Sequence, residues 1–115
     1  MINDIKLNRF NDLIKKEISK IITYEIKDPR LFHVYISYVK TNKNLQYSEV
    51  YFTSLINKDN NFCLSILNNA KNFFKYKLSK KLNTYSIPKI KFYIDKTIKN
   101  TIKIDKIFKT LSKDT

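Results

Sequence analysis

The sequence of 115 residues contains no glycine, and it has only one cysteine and one histidine. Without glycine it cannot carry a phosphate-binding P-loop or the glycine-rich turn that binds dinucleotides, because both need backbone conformations that glycine supplies. A single cysteine excludes an internal disulfide. The carboxylates are scattered, with no paired acid and base and no metal-binding spacing. We therefore expect a binding module without cofactor or metal, rather than an enzyme.

Neither of the two reactive side chains stands in a setting that favours catalysis. His33 lies at the start of a predicted strand, with no cysteine, histidine or carboxylate in motif spacing, so a structural or solvated role is favoured. Cys63 lies on the apolar stripe of a predicted helix, which favours a buried, inert thiol. The sequence thus offers no candidate catalytic residue.

Long apolar runs are also missing. None approaches the roughly 20 residues that span a bilayer, and the first ten residues lack the apolar stretch of a signal peptide. Together with the single cysteine, this favours a cytoplasmic protein. A hydrophobic content of 43% is enough for a core, so we expect one folded domain over residues 1–115.

Positive charge is what the sequence has in excess. The net charge is +13, from 23 lysines and arginines against 10 acidic residues, and only Arg9 and Arg30 are arginine. Such a charge favours a polyanionic partner, with nucleic acid as the first candidate and an anionic membrane surface as the second.

Residues 62–82 carry the clearest helical pattern. Apolar side chains recur every three or four residues on one helix face: Cys63, Leu67, Ala70, Phe74, Leu78 and Leu82. Asparagines interrupt the stretch at residues 68–72, and asparagine weakens a helix because its amide competes for backbone hydrogen bonds. We predict two helices that meet at a break near residues 70–72. Free backbone N–H groups beside lysines would bind phosphate there.

The other elements predict an α-β-β-α-break-α-β-α order. A first helix should begin at Asp4 as its N-cap and run to about Ile26, where Asp28 and Pro29 stop it. Strands are predicted over residues 31–41 and 46–55, joined by a turn, and a third strand follows Pro88. Both faces of the first strand are apolar, which favours a central strand or one covered on both sides. A last helix is expected over residues 97–112.

Four segments carry a resemblance to a known family. They are Glu-Ile-Lys-Asp-Pro-Arg-Leu at residues 25–31, the hairpin at residues 42–52, Ala-Lys-Asn-Phe-Phe-Lys at residues 70–75, and residues 87–95. In order and spacing, over roughly residues 5–111, they resemble ribosome-binding factor A. The Asp-Pro-Arg tripeptide at the end of a first helix, followed by the hairpin, is specific as a combination.

The resemblance implies an α+β fold with a single type-II KH-like domain, in which helices cover a three-stranded sheet. The core would span about residues 5–96. It implies a monomer that binds the immature small (30S) ribosomal subunit through 16S ribosomal RNA. It also implies a late maturation step that includes processing of the RNA 5′ end, and a link to growth in the cold. No cofactor, small-molecule substrate or membrane partner is implied.

Two of the departures from the family pattern concern the predicted site. Asn72 stands where the family has a glycine, and asparagine is the residue that best replaces glycine at positive φ. Lys75 stands where the family has an arginine, which keeps the charge but loses the planar fork of donors.

The predicted RNA-binding residues surround the break and lie on and after the first helix. They are Lys71, Asn72, Lys75, Lys77, Lys80 and Lys81, supported by Arg9, Lys15, Lys16 and Arg30. The basic face of the first helix could equally be a solvated surface, and Tyr76 could stack on a base or be an ordinary surface tyrosine. The alternatives to the assembly factor are a generic KH-like RNA-binding or ribosomal protein and a module that binds anionic lipids.

Overall fold

The computed structural model describes residues 2–55, 60–82 and 86–96 of the protein. In chain order the elements are α1 (Asp4–Lys20), a π-helical segment (Ile21–Ile26), a 3-10 turn (Pro29–Leu31), β1 (Val34–Thr41), β2 (Tyr47–Ser54), α2 (Asn60–Asn69), α3 (Lys71–Lys81) and β3 (Lys89–Ile94). The predicted α+β fold is confirmed. The predicted last helix, over residues 97–112, lies outside the described residues.

The start of α1 differs from the prediction by one residue. Asn3, rather than Asp4, is the N-cap, and its Oδ1 accepts a hydrogen bond from the backbone N–H of Lys6 at 2.9 Å. Asp4 occupies the first turn instead, where its charge interacts favourably with the positive end of the helix dipole. Helical structure continues to Ile26 as predicted, through the wider π-helical segment. Lys27, in the left-handed conformation with φ 51° and ψ 36°, ends it.

Asp28 redirects the chain after this helix. Its carboxylate caps the 3-10 turn by accepting a hydrogen bond from the backbone N–H of Arg30 at 2.9 Å. Leu31 belongs to that turn and is buried. The first strand therefore begins at Val34, later than the predicted residue 31.

The three strands form one mixed sheet in the order β1-β2-β3. β1 and β2 make an antiparallel hairpin, and β3 pairs parallel to β2 after the crossover through α2 and α3. Asn42 organises the hairpin turn, because its Oδ1 accepts hydrogen bonds from the N–H groups of Gln46 at 2.8 Å and Tyr47 at 2.9 Å. β1 lies at an edge of the described sheet, so the first of the two expectations for it, a central strand, is wrong. Tyr35 and Tyr38 account for the apolar second face.

The core lies between the helices and one face of the sheet. The buried helix side chains include Ile14, Ile18, Leu67, Phe74 and Leu78, and those of the sheet include Ile36, Val50, Phe52, Ile90 and Phe92. The apolar stripe predicted within residues 62–82 is confirmed, since all of its side chains are buried except Ala70, which is half-buried. This packing fixes α3 beside β3.

Candidate nucleic-acid interface

The predicted break between two helices is confirmed, and it lies at Ala70. α2 ends at Asn69 and α3 begins at Lys71. Ala70 itself has φ −97° and ψ 8°, and its N–H is shared between the carbonyls of Ile66 at 3.2 Å and Leu67 at 3.1 Å. This tightened turn changes the direction of the helix without any glycine.

Asn72 does not adopt the left-handed conformation that the sequence analysis predicted for it. It lies within α3, and among the described residues only Lys27 and Leu45 have positive φ. The expectation that asparagine replaces glycine in a left-handed conformation at this position is therefore wrong. The break needs only the sparsely populated region near ψ 0°, which alanine can occupy.

Asn68 holds the break against the sheet. Its Oδ1 accepts a hydrogen bond from the N–H of Phe92 at 2.9 Å, and its Nδ2 donates to the carbonyl of the same residue at 3.3 Å. β3 is an edge strand, so these backbone groups point away from β2 and would otherwise lack a partner within the sheet. Asn68, which the sequence analysis predicted only to weaken the helix, thus forms hydrogen bonds with the edge of β3.

A cleft opens between the start of α3 and the start of β3. It has a volume of about 260 Å³ and is lined by Lys71, Asn72, Lys75, Lys89 and Ile90. Three of the predicted site residues therefore come together here. Lys89 was not among the predicted site residues. Its signal was the basic face of the alternating pattern on β3, directly after Pro88.

The first turn of α3 adds backbone donors to this cleft. The N–H groups of Lys71, Asn72 and Phe73 have no acceptor four residues earlier within α3, because the helix begins at Lys71. Ala70, in the cap position, has no side-chain hydrogen bond to offer them. The positive end of the helix dipole and the lysine charges thus act in the same direction. Phosphate binding by these groups remains a prediction.

The lysines of α3 divide into two environments. Within the described ranges, Lys71 and Lys75 form no ion pair, and neither does Lys89. By contrast, Lys81 Nζ lies 3.1 Å from Glu25 Oε1, and Lys77 Nζ lies 3.5 Å from Glu25 Oε2. The hydrogen bond from Lys81, reinforced by the charges of both lysines, holds the pKa of Glu25 below its usual value.

Lys81 has a second, longer contact to Glu17 of α1, at 4.0 Å, and Glu17 also faces Lys20 at 3.8 Å. Lys80 points elsewhere and places its Nζ 4.6 Å from the centroid of the Tyr76 ring. Their hydrogen bond lowers the pKa of the Tyr76 hydroxyl. Tyr76 is 52% exposed, and one lysine already lies over its ring.

The supporting cations of α1 do not line the cleft. Lys15 Nζ is 5.9 Å from the ring centroid of Tyr35 on β1, at the sheet edge opposite β3. Arg9 and Lys16 are exposed on the same helix. The structure therefore does not bring these three predicted residues together with Lys71 and Lys75 in the cleft.

Arg30 is engaged with its own turn. Its Nη2 lies 2.6 Å from Asp28 Oδ2, and its guanidinium carbon lies 5.7 Å from the ring centroid of Phe62. The hydrogen bonds from this guanidinium lower the pKa of Asp28, and the carboxylate raises the pKa of Arg30 in return.

The two reactive side chains considered in the sequence analysis, Cys63 and His33, do not form a catalytic arrangement among the described residues. Cys63 is buried, as predicted, and His33 is exposed. No group of three or more histidine, cysteine or acidic side chains among residues 2–55, 60–82 and 86–96 could hold a metal ion. In the same part of the chain, no helix has the length and apolar character needed to cross a membrane.

Comparison with known proteins shows which family shares this sequence and architecture. Residues 6–108 match the family model described as ribosome-binding factor A. The protein of that name from Thermodesulfovibrio yellowstonii is 32% identical over 108 residues, which cover 94% of this chain and 92% of the relative.

Solved structures agree on the fold. The solution structure of a Thermotoga maritima protein has a TM-score of 0.70 and 31% identity, and the match covers 85% of this chain and 94% of the other. A homology model of the Thermus thermophilus ribosome-binding factor A, fitted into a cryo-EM map of its complex with the 30S subunit, has a TM-score of 0.65 at 20% identity, covering 76% of this chain and 92% of the other. The expected KH-like fold is confirmed.

Proposed function

This chain belongs to the ribosome-binding factor A family, and we propose that it binds the immature small ribosomal subunit through 16S ribosomal RNA. In this proposal the protein assists a late maturation step in the cytoplasm, which includes processing of the RNA 5′ end. It acts as a monomer by binding and shaping RNA, without chemistry of its own.

The observation that supports this proposal is the cleft at the break. Lys71 and Lys75 on one wall and Lys89 on the other carry charges that no carboxylate of the described residues neutralises. Lys71 and Asn72, in the first turn of α3, line the same cleft, and their N–H groups have no acceptor within that helix. Cations and backbone donors grouped in this way suit the phosphates of a folded RNA.

The other candidate residues take different parts in the proposal. Lys80 adds a solvent-facing charge next to the cleft-bearing half of the helix. Lys77 and Lys81 mainly hold α3 to the π-helical segment through Glu25, and they contact RNA only as part of that ion-pair cluster. Arg9, Lys15, Lys16 and Arg30 do not line the cleft, and in the proposal they add secondary contacts to RNA.

Co-sedimentation with purified precursor and mature small subunits tests the proposal. Wild-type protein should associate with precursor particles and leave mature ones, whereas a ribosomal protein would stay on both. The double variant Lys71→Glu/Lys75→Glu should lose the association without unfolding, because it reverses the charge on one wall of the cleft.

The matched control is Lys6→Glu/Lys27→Glu, which makes the same change of charge at exposed positions that do not line the cleft. It should associate nearly as well as wild type. If Lys71→Glu/Lys75→Glu co-sediments with precursor particles as wild type does, the assignment of the cleft is wrong.

The maturation step needs a separate measurement. A bacterium that lacks its own family member should accumulate small subunits with unprocessed 16S 5′ ends, most strongly at low growth temperature. Expression of this chain should restore the mature 5′ end, measured by primer extension, and Lys71→Glu/Lys75→Glu should not. Normal 5′-end processing in cells that express the double variant would show that maturation does not depend on the cleft.

A further inference from the structure

The sheet has a second face, on which none of the described helices packs. Side chains that alternate with the buried ones point to this face. The part nearest the β1–β2 turn carries two tyrosines and three lysines, which we call the hairpin-end surface: Tyr38, Lys40, Tyr47, Lys89 and Lys91. The described helices leave an aromatic and basic surface here.

A row of tyrosines crosses all three strands on this face. The rings of Tyr38 and Tyr51 are stacked, with centroids 4.3 Å apart and planes at 10°, and Tyr51 stacks on Tyr93 at 5.4 Å. The Tyr51 hydroxyl donates a hydrogen bond to Glu49 at 3.0 Å. Tyr51 is thus fixed between its neighbours. Tyr38 ends the row at the edge strand and is 40% exposed, so the stack can be extended there.

Tyr47 lies closer to the turn and is not part of this row. It is 54% exposed and, within the described residues, stacks on no other ring. Its register partner on β3 is Lys89, whose Nζ lies 6.0 Å from the ring centroid. A shallow cleft of about 170 Å³ beside it is lined by Lys40, Thr41, Asn42, Tyr47 and Glu49.

The charge around Tyr47 is positive, whereas Tyr38 also lies near the carboxylates of Glu49 and Asp95. The strand register places Lys40 and Lys91 on either side of Glu49, and Lys89 follows next to Tyr47. Three lysines therefore surround one carboxylate. Exposed tyrosine rings beside lysines are the combination that binds single strands, because bases stack on the rings while phosphates meet the cations.

Lys89 connects this surface to the cleft at the helix break, since it belongs to both. We propose that the hairpin-end surface binds an unpaired RNA segment, whose bases stack on Tyr47 and Tyr38 and whose backbone continues over Lys89 into the cleft. The inference rests on the proposed RNA binding and adds the class of RNA. A duplex keeps its bases stacked inside the helix, so it cannot use the tyrosines.

A structural role accounts for only part of this arrangement. Cross-strand tyrosine pairs stabilise a sheet, and that explains Tyr51 with its two neighbours. It does not explain Tyr47, which offers its ring to solvent next to a lysine. A substitution of Tyr47 therefore distinguishes a surface that binds RNA from a row of tyrosines that only stabilises the sheet.

Fluorescence anisotropy with two labelled probes tests the inference: a 12-nucleotide oligouridine and a 12-base-pair RNA duplex. Tyr47→Leu should bind oligouridine roughly tenfold more weakly than wild type, because one base loses its stacking partner. Its affinity for the duplex should stay unchanged. Tyr47→Phe, which keeps the ring, should bind both probes as wild type does. Tyr24→Leu, at a 68% exposed tyrosine of the π-helical segment, is the matched control.

Equal oligouridine affinity of wild type and Tyr47→Leu would overturn the inference, as would no measurable binding of oligouridine by wild type at low salt. Loss of small-subunit association by Tyr47→Leu with unchanged oligouridine binding would overturn it in favour of a protein contact. Lys71→Glu/Lys75→Glu should weaken binding of both probes. Wild-type-like co-sedimentation of this double variant with precursor particles would refute the proposed cleft, whereas the Tyr47 results bear on the hairpin-end surface alone.

Discussion

The two halves of α3 carry the same residue type in opposite electrostatic surroundings. Near the break, Lys71 and Lys75 face a cleft with no carboxylate partner among the described residues. One to two turns later, Lys77 and Lys81 both contact Glu25. The charges of the first pair are therefore available to a ligand, whereas the second pair forms ion pairs that join α3 to the π-helical segment.

This difference shows that a lysine's position in the fold, rather than its place in a basic run, decides what it can bind. A cation that already has a carboxylate neighbour must give up that contact or share it with a phosphate. Glu25 reaches α3 because the π-helical segment extends the helical structure beyond Lys20. Experiments that disturb either half of α3 should therefore have distinct consequences.

The largest effect should come from Asn68, because the cleft-bearing half depends on the brace between α2 and β3. Asn68→Ala removes both hydrogen bonds to the backbone of Phe92 and leaves two edge groups without partners. We expect a loss of about 1 to 3 kcal/mol in the free energy of unfolding, measured by urea denaturation. RNA affinity should fall as well, since Lys71 and Lys89 lose their fixed spacing.

Asn69→Ala is the matched control for Asn68, because the neighbouring asparagine is exposed at the end of α2. It should change stability by no more than about 0.5 kcal/mol. Equal urea midpoints for the two variants would show that the Asn68 brace contributes no net stability.

The next effect compares the two lysine pairs directly by removing charge without reversing it. Lys71→Gln/Lys75→Gln should bind small-subunit RNA roughly tenfold more weakly at moderate salt, and the slope of log K against log salt should fall by about 2. Lys77→Gln/Lys81→Gln should leave that slope nearly unchanged. A filter-binding titration at several salt concentrations measures both, and equal slopes for the two variants would remove the distinction between the halves.

The sequence was informative where one residue's chemistry decides the backbone. The stop at Asp28 and Pro29, the turn at Asn42 and the break near Ala70 could all be predicted, because proline geometry, asparagine side-chain bonds and helix propensity act locally. The apolar stripe within residues 62–82 could also be predicted, since its period alone identifies the buried face of the helices.

Contacts between distant segments could not be read in the same way. The pairing of Lys77 and Lys81 with Glu25 depends on how α1 crosses α3, and no local pattern encodes it. Asn68 looked like a helix-weakener because its partner, the edge of β3, lies far along the chain. Lys89 joined the cleft only once β3 was placed beside α3.

The smallest effect concerns the paired half and its dependence on pH. Lys81 and Lys77 lower the pKa of Glu25 in the folded protein, so the folded state binds this proton less readily than the unfolded chain. Its contribution to stability is then full above the ordinary glutamate pKa of about 4.3 and is lost as the pH falls through the lower folded value. The urea midpoint of Glu25→Gln should be slightly below that of wild type at pH 7, and the gap should close below about pH 4. Asp12→Asn, at an exposed position without an ion pair in the described chain, should show no such convergence. A gap for Glu25→Gln that persists at low pH would mean that the amide side chain disturbs packing, and that the stability difference does not come from the ion pairs with Lys77 and Lys81.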